Sequence, residues 1–169
     1  LSGMELEDYF KKYIFTPLEM NDTSFSCPKN KLDRLCSLYE HDPVGIPKLL
    51  EIPFLNTRMA SGGGGLFSTM NDYHNFCHML LHDGEFEGKR IIGRKTLELM
   101  TTNHLPDNQD LTEMSESAFS ETPYAGVGFG LGFSVMLDPA KSQSVSDIGE
   151  FGWGGAASTC LLYTSPSPR

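Results

Sequence analysis

The sequence predicts an α+β domain in which helices from the first part of the chain pack on an antiparallel sheet from the last part. Apolar residues follow helical spacing early in the chain, and strict alternation replaces that spacing after residue 126. Turn signals separate the alternating segments. The chain has 169 residues, of which 39% are apolar and 21% are charged, in the range of one ordinary globular domain.

The first helix is predicted directly after residues 2–5. Ser2 and Glu5 form a capping-box pattern, in which each side chain satisfies a free backbone donor. The apolar residues that share one face of this helix are Leu6, Tyr9, Phe10, Tyr13 and Ile14. Pro17 disfavours a helical residue before it, so the helix ends there. Residues 42–58 contain three prolines and a glycine, which predicts a loop.

A second helix is predicted from the helix-start pattern Thr69-Met70-Asn71-Asp72. Its apolar stripe comprises Tyr73, Phe76, Cys77, Leu80 and Leu81, and His82-Asp83-Gly84 ends it. A shorter helix is predicted over Lys95–Thr102. Residues 103–123 are polar, acidic and aperiodic, so we expect a mobile surface excursion there.

The period changes at Val127–Leu137, where apolar residues alternate with small ones over eleven residues. This pattern predicts one strand with an apolar face and a nearly bare face. Asp138-Pro139 predicts a turn, residues 145–153 a return strand, and residues 156–162 a third strand. Residues 163–169 contain two prolines that alternate with serines, which cannot continue a central strand, and we treat these seven residues as a tail.

Composition excludes several classes of function. The net charge of −9, without a basic stripe, argues against nucleic-acid binding, and no apolar run is long enough for a membrane segment. The four cysteines lack metal-ligand spacing, and we expect buried free thiols. His74, His78 and His82 do have metal-ligand spacing, but on a predicted solvated helix face. We therefore predict neither a metal nor an organic cofactor.

Four segments together resemble the C-terminal half of the serine β-lactamase-like superfamily, which includes class C β-lactamases, related esterases and D-alanyl-D-alanine peptidases. They are residues 14–25, Ser61–Leu66 together with Ser68-Thr69 and Asp72-Tyr73, Gly128–Val135 and Gly152–Thr159. One departure is Glu19, where the family usually has a glycine. The resemblance implies a partial penicillin-binding-protein-like fold, with residues 1–162 as an incomplete β-lactamase-related domain and residues 163–169 as the tail.

The resemblance also implies acyl transfer by an activated serine. The family uses Ser-x-x-Lys, a Tyr element, and a third strand motif with the variants Lys-Thr-Gly, His-x-Gly or Trp-Gly-Gly. Trp153, Gly154 and Gly155 resemble this third motif as substrate-binding residues, and Ala156 falls where the family's strand donates an oxyanion N–H. Trp-Gly-Gly is more typical of esterase-like members, so we expect a small-molecule ester or amide substrate. A glycine-rich strand with a packed tryptophan is the structural alternative.

In the family, the Ser-x-x-Lys and Tyr elements precede the first helix of this chain. We therefore expect a C-terminal fragment that lacks its nucleophile and is inactive alone. Ser26-Cys27-Pro28-Lys29, Tyr73-His74-Asn75 and Lys95-Thr96 match the motif patterns, but in the wrong context. The alternative is a catalytically silent homologue that serves as a binding or scaffold module.

Overall fold

The computed structural model describes residues 2–40, 45–52, 55, 60–115, 124–155 and 160–163. The chain divides into two compact units. The first comprises Leu1–Met79 and Phe86–Ile91, and the second comprises Leu80–Glu85 and Ile92–Arg169. Both helices and small antiparallel sheets are present, which confirms the predicted α+β class. None of the helices in these described ranges is long and apolar enough to cross a membrane.

The first helix, α1 (Leu6–Phe10), continues directly into a π-helical turn over Lys11–Phe15. The helix was predicted, but its capping box was wrong. Glu5 occupies the N-cap without a side-chain bond, and the Ser2 hydroxyl accepts from the Met4 N–H at 3.2 Å instead. Since the helix begins only at Leu6, Ser2 lies too far upstream to reach its free donors.

The core of the first unit forms where the end of this helical segment packs on the residues that follow it. Leu18 is completely buried, at 0% exposure. The ring of Phe10 lies 5.8 Å from the rings of both Phe15 and Phe25. A 3₁₀ helix follows over Lys29–Arg34.

The predicted loop over residues 42–58 is partly wrong. Strand β1 (Leu38–Glu40) pairs antiparallel with strand β2 (Lys48–Leu50). The prolines that suggested a loop flank β2, so they leave its three residues free to pair.

Helix α2 (Met70–Leu81) starts where predicted, and the Thr69 hydroxyl accepts from the Asp72 N–H at 3.2 Å. The predicted apolar stripe is partly wrong, because Tyr73 and Leu81 are 38% and 42% exposed. Asp72 is buried instead, where it accepts hydrogen bonds from the backbone of Asp22 and the hydroxyl of Thr23. These polar contacts select which helix face turns inward. Beyond α2, strands β3 (Glu85–Phe86) and β4 (Lys89–Arg90) form a short hairpin.

In the second unit, helix α3 (Arg94–Met100) confirms the predicted short helix approximately. The expected mobile excursion is wrong for residues 103–115, which form a 3₁₀ turn (Pro106–Asn108) and helix α4 (Leu111–Met114). Asp110 and Glu113 make a complete capping box at α4. The remainder of the predicted excursion, residues 116–123, lies outside the described residues.

The main sheet is an antiparallel meander of β5 (Val127–Phe129), β6 (Ser134–Met136), β7 (Phe151–Gly154) and β8 (Cys160–Tyr163). The single strand predicted over Val127–Leu137 is wrong, since β5 and β6 are the two arms of a hairpin. The Gly130 N–H donates to the Phe133 carbonyl at 2.7 Å, and Gly132 adopts a φ of +99°. Gly130 and Gly132 thus permit a tight turn, which the alternating pattern of apolar and small residues does not distinguish from a continuous strand.

The connection to β7 also differs from its prediction. Residues Pro139–Ser142 form the short helix α5, whose N-cap Asp138 accepts from the N–H groups of Ala140 and Lys141. The return strand begins only at Phe151, so its predicted start at Val145 was too early. Of the predicted third strand, residues 160–162 lie in β8, and residues 156–159 are outside the described ranges.

Candidate substrate-binding strand

Strand β7 carries the predicted third motif and lies between β6 and β8. Gly152 pairs with Ser134 on one side, while Trp153 and Gly154 pair with Leu161 and Cys160 on the other. The Ser134 hydroxyl also donates to the Gly152 carbonyl at 2.6 Å. Strand β7 is therefore paired on both sides at Phe151 and Gly152, whereas Trp153 and Gly154 pair only with β8.

Trp153 is half-buried and packs edge-on against Phe129, with ring centroids 4.9 Å apart and an interplanar angle of 79°. This is a favoured geometry for two aromatic rings, since the positive edge of one meets the negative face of the other. Phe129 comes from β5 and was not identified from the sequence. In the sequence Phe129 is only one of the apolar residues that alternate with small ones over Val127–Leu137, and nothing in that pattern indicates a contact with Trp153.

The end of β7 is exposed backbone. Gly154 and Gly155 are both exposed, and a Cβ atom on Gly154 would meet no heavy atom within 4 Å. A bare, accessible strand end allows a substrate to lie directly against the main chain. Ala156, the predicted oxyanion donor, lies outside the described residues, so its role remains a prediction.

The three other motif matches do not form a buried catalytic set. Ser26 is exposed, and its carbonyl accepts from the Ser24 hydroxyl at 2.6 Å. Lys29 is exposed at the start of a 3₁₀ helix, and Tyr73 is exposed on α2. Lys95 pairs with Glu98 on the surface of α3 at 2.5 Å. These exposed positions agree with the interpretation that the three motif matches occur by chance and are not catalytic.

The predicted histidine stripe is only partly solvated. His74 and His82 are exposed, but His78 is half-buried and packs edge-on against Phe86, with centroids 5.7 Å apart. Within the described ranges, no three His, Cys, Asp or Glu side chains are arranged to hold a metal ion.

The cysteine prediction needs correction. Cys27, Cys36 and Cys77 are free thiols, but Cys36 is exposed and the other two are only half-buried. Burial raises the pKa of the Cys77 thiol, which makes it less nucleophilic at neutral pH. The expectation of buried thiols is therefore wrong for Cys36, which follows a surface 3₁₀ helix, and only partly right for Cys27 and Cys77. The burial of Cys160 lies outside what the structure describes.

A buried carboxylate that sequence reasoning missed organises the second unit. Asp110 is 3% exposed and accepts from the Gly126 N–H at 2.8 Å and from Lys141 Nζ at 2.6 Å. Burial raises its pKa, but the hydrogen bonds from Lys141, Gly126 and Glu113 outweigh burial and hold the pKa below its usual value. The same pairing raises the pKa of Lys141. Asp110-x-x-Glu113 is a capping-box pattern that could have identified it.

A second polar cluster, also missed, lies in the first unit beside a cavity of about 490 Å³. Its walls include Asp22, Arg34 and Asp72. Arg34 pairs with Asp22 at 2.9 Å and Lys31 pairs with the same carboxylate, which lowers the pKa of Asp22. Since these charges satisfy one another, the cluster is best explained as structural.

Comparison with known proteins decides the family. The family model described as Beta-lactamase matches residues 1–167, nearly the whole chain. The chain belongs to the Beta-lactamase family. Its resemblance to the serine β-lactamase-like superfamily is thereby confirmed.

Two curated relatives come from Mycobacterium tuberculosis: Protein Rv1367c (strain ATCC 25618 / H37Rv) and Uncharacterized protein MT1414 (strain CDC 1551 / Oshkosh). Each is 35% identical over 158 residues, which cover 86% of this chain and 37% of the relative. The chain thus spans little more than a third of the length of these curated relatives.

Solved structures confirm the fold. The LovD6 mutant of simvastatin synthase from Aspergillus terreus is 21% identical with a TM-score of 0.80, covering 97% of this chain and 43% of that chain. EstCE1, described as a hydrolase with promiscuous acyltransferase activity, is 23% identical with a TM-score of 0.74, covering 97% and 44%. A penicillin-binding protein homologue from Pyrococcus abyssi is 22% identical with a TM-score of 0.61, covering 97% and 32%. These likenesses place the chain in the penicillin-binding-protein-like fold.

Proposed function

We propose that β7 is the substrate-binding strand of a serine hydrolase that acts on small esters or amides through an acyl-enzyme, with esters preferred. The observation that carries the proposal is the open strand end at Gly154–Gly155, directly after a tryptophan held by Phe129. In a member of the Beta-lactamase family, this end is well suited to hold an acyl group against bare backbone.

The chemistry gives each of these residues a role. A serine hydroxyl, deprotonated by a base, attacks the substrate carbonyl carbon, and the carbonyl oxygen becomes a tetrahedral oxyanion. The Ala156 N–H would donate to that oxygen, while Trp153, Gly154 and Gly155 would form the wall beside the acyl group. One such donor contributes about 2.7–4 kcal/mol of transition-state stabilisation. Collapse of the oxyanion expels the alcohol or amine, and water then releases the acid.

The nucleophile and its base are proposed to lie in the portion of the relatives that this chain does not span. Two facts support this assignment. The chain covers 37% of the length of its curated relatives, and its own Ser-x-x-Lys match places Ser26 on an exposed bend. On this proposal residues 1–162 are the C-terminal part of the domain and residues 163–169 are a tail, except that Tyr163 still pairs with Phe151 as the last residue of β8. The 169-residue chain alone does not hydrolyse esters. The reaction needs no metal or organic cofactor.

A fluorophosphonate probe tests the proposal, because it reacts covalently with activated serines. We expect it to label the whole protein at a serine outside these 169 residues, and not to label the 169-residue chain alone. Ser26→Ala should leave labelling of the whole protein unchanged. Labelling at Ser26 that is lost in Ser26→Ala would overturn the assignment. Absence of labelling in the whole protein would instead favour the alternative, a catalytically silent binding or scaffold module.

A further inference from the structure

The outer edge of β5 is occupied by the segment that follows α3. The Phe129 N–H donates to Asn103 Oδ1 at 3.0 Å, and the Phe129 carbonyl accepts from the His104 N–H at 2.8 Å. Both backbone polar groups of Phe129 are therefore bound by two consecutive residues. This arrangement fixes the backbone from which the Phe129 ring projects.

Asn103 is itself fully bonded. Its side-chain nitrogen donates to Asn108 Oδ1 and to the Gln109 carbonyl, each at 3.0 Å. Its side-chain oxygen also accepts from the Leu105 N–H at 3.2 Å. Because every donor and acceptor of this amide has a partner, its position beside Phe129 is unambiguous.

Gly128 and Gly130, on either side of Phe129, allow residues 100–104 to lie close to β5. A Cβ atom on Gly128 would lie 2.5 Å from Asn103 Oδ1, and one on Gly130 would lie 2.1 Å from the Met100 carbonyl oxygen. That carbonyl accepts from the Leu131 N–H at 2.8 Å. Residues 100–104 thus lie against Gly128 and Gly130, two of the small residues of the predicted bare face.

We infer that Phe129 is a positioning residue that fixes the Trp153 ring and thereby sets the size of acyl group that β7 accepts. The inference deepens the proposed function and rests on it. Phe129 and Trp153 are both half-buried, and Trp153 directly precedes the exposed Gly154 and Gly155. Removing the Phe129 ring frees space into which the Trp153 ring can move. The wall beside the acyl group then recedes, and longer acyl chains fit.

The test combines a spectroscopic and a kinetic measurement on the protein that carries this sequence. Trp153 is the one tryptophan among the 169 residues, and in 5-fluorotryptophan-labelled protein its ¹⁹F resonance can be assigned with Trp153→Phe. Phe129→Ala should move and broaden that resonance. It should also raise the ratio of kcat/KM for p-nitrophenyl butyrate to that for p-nitrophenyl acetate by about tenfold, the scale on which hydrophobic pockets discriminate by methylenes. Phe129→Tyr, which keeps the ring, should preserve both values.

Two controls keep the outcomes distinct. Leu97→Ala removes a buried side chain of α3 and should cost stability while leaving the resonance and the ratio unchanged. An unchanged ratio in Phe129→Ala, with or without a moved resonance, would overturn the inference. Equal changes in Leu97→Ala would also overturn it, since the effect would then follow from general destabilisation. If Gly155→Val keeps normal turnover, the proposed function itself fails, whatever Phe129→Ala does.

Discussion

A Cβ atom on Gly130 would lie 2.1 Å from the carbonyl oxygen of Met100, far inside contact distance. The β5–β6 turn therefore requires glycine at this position for packing. We predict that Gly130→Ala lowers the free energy of unfolding by about 3 kcal/mol, at the upper end of the usual cost of overpacking. Urea unfolding measures this change. Gly62→Ala is the control, because a Cβ at Gly62 meets nothing within 4 Å, and equal stability of the two variants would contradict the structure.

Asp110 predicts a pH dependence of stability. Its pKa is lower in the folded protein than in the unfolded chain, so the unfolded state binds more protons in acid. The resulting stabilisation is complete above the unfolded pKa of about 3.9 and is lost as the pH falls through the folded pKa. Asp110→Ala should lower the free energy of unfolding at pH 7 by about 2–3 kcal/mol, through the lost cap and the unsatisfied N–H of Gly126.

Urea unfolding of wild type and Asp110→Ala between pH 7 and pH 2 measures the difference. We expect the difference in free energy of unfolding between wild type and Asp110→Ala to be largest at neutral pH and to shrink below about pH 4. Asp147→Ala serves as control because Asp147 is exposed. Its free energy of unfolding should differ little from that of wild type over the whole pH range. If Asp110→Ala differs from wild type by the same free energy of unfolding at pH 7 and at pH 2, the charge interaction of Asp110 with Lys141 would be contradicted.

The hydroxyl of Thr23 links two segments of the first unit. It donates to Asp72 Oδ2 at 2.8 Å and lies 2.7 Å from the Ser68 hydroxyl, and both Thr23 and Asp72 are buried. Thr23→Val keeps the shape but removes the hydroxyl, so we expect a loss of about 1–2 kcal/mol in the free energy of unfolding. Thr23→Ser, which keeps the hydroxyl, should lose less. Thermal unfolding in which the valine variant equals or exceeds wild type would refute this role.

We predict that His74, His78 and His82 do not form a functional metal site. His74 and His78 have ring centroids 6.1 Å apart, but His78 packs on Phe86, and the described residues supply no third ligand. Calorimetric titration with zinc should show no binding tighter than about micromolar. Nanomolar binding that disappears in His78→Ala would prove this prediction wrong.

Sequence patterns identified α2, α3 and the antiparallel order of the sheet, because their apolar periods and start signals are local. They failed at the β5–β6 turn, where Gly130 and Gly132 fit an alternating strand as well as a hairpin. The deciding contact, from Gly130 to Met100, joins residues thirty positions apart. Helix α4 was missed although its capping box, Asp110-x-x-Glu113, is local, whereas the contacts of Asp110 with Gly126 and Lys141 join residues too distant in sequence to be predicted.

The candidate strand was found only by resemblance. Trp153-Gly154-Gly155 has no periodic signature that separates a substrate wall from a packed strand. What the structure adds is the contact of Trp153 with Phe129 and the open space at Gly154. The contact could not be predicted, because β6 lies between β5 and β7 and the two rings come together only in the folded sheet. The open space at Gly154 could not be predicted either, because it depends on which atoms the fold brings near this residue.

Turnover by Gly155→Val is the most direct test of the account. In the protein that carries this sequence, a side chain at Gly155 should obstruct the acyl group or displace the oxyanion donor at Ala156. We predict that kcat for p-nitrophenyl ester hydrolysis falls roughly a hundred- to a thousandfold, equivalent to about 2.7–4 kcal/mol, while the melting temperature changes little. Gly130→Val, by contrast, should reduce stability more than turnover. Near-normal kcat in Gly155→Val would mean that β7 is only a packed strand, and the proposed substrate-binding role of residues 153–156 would have to be withdrawn.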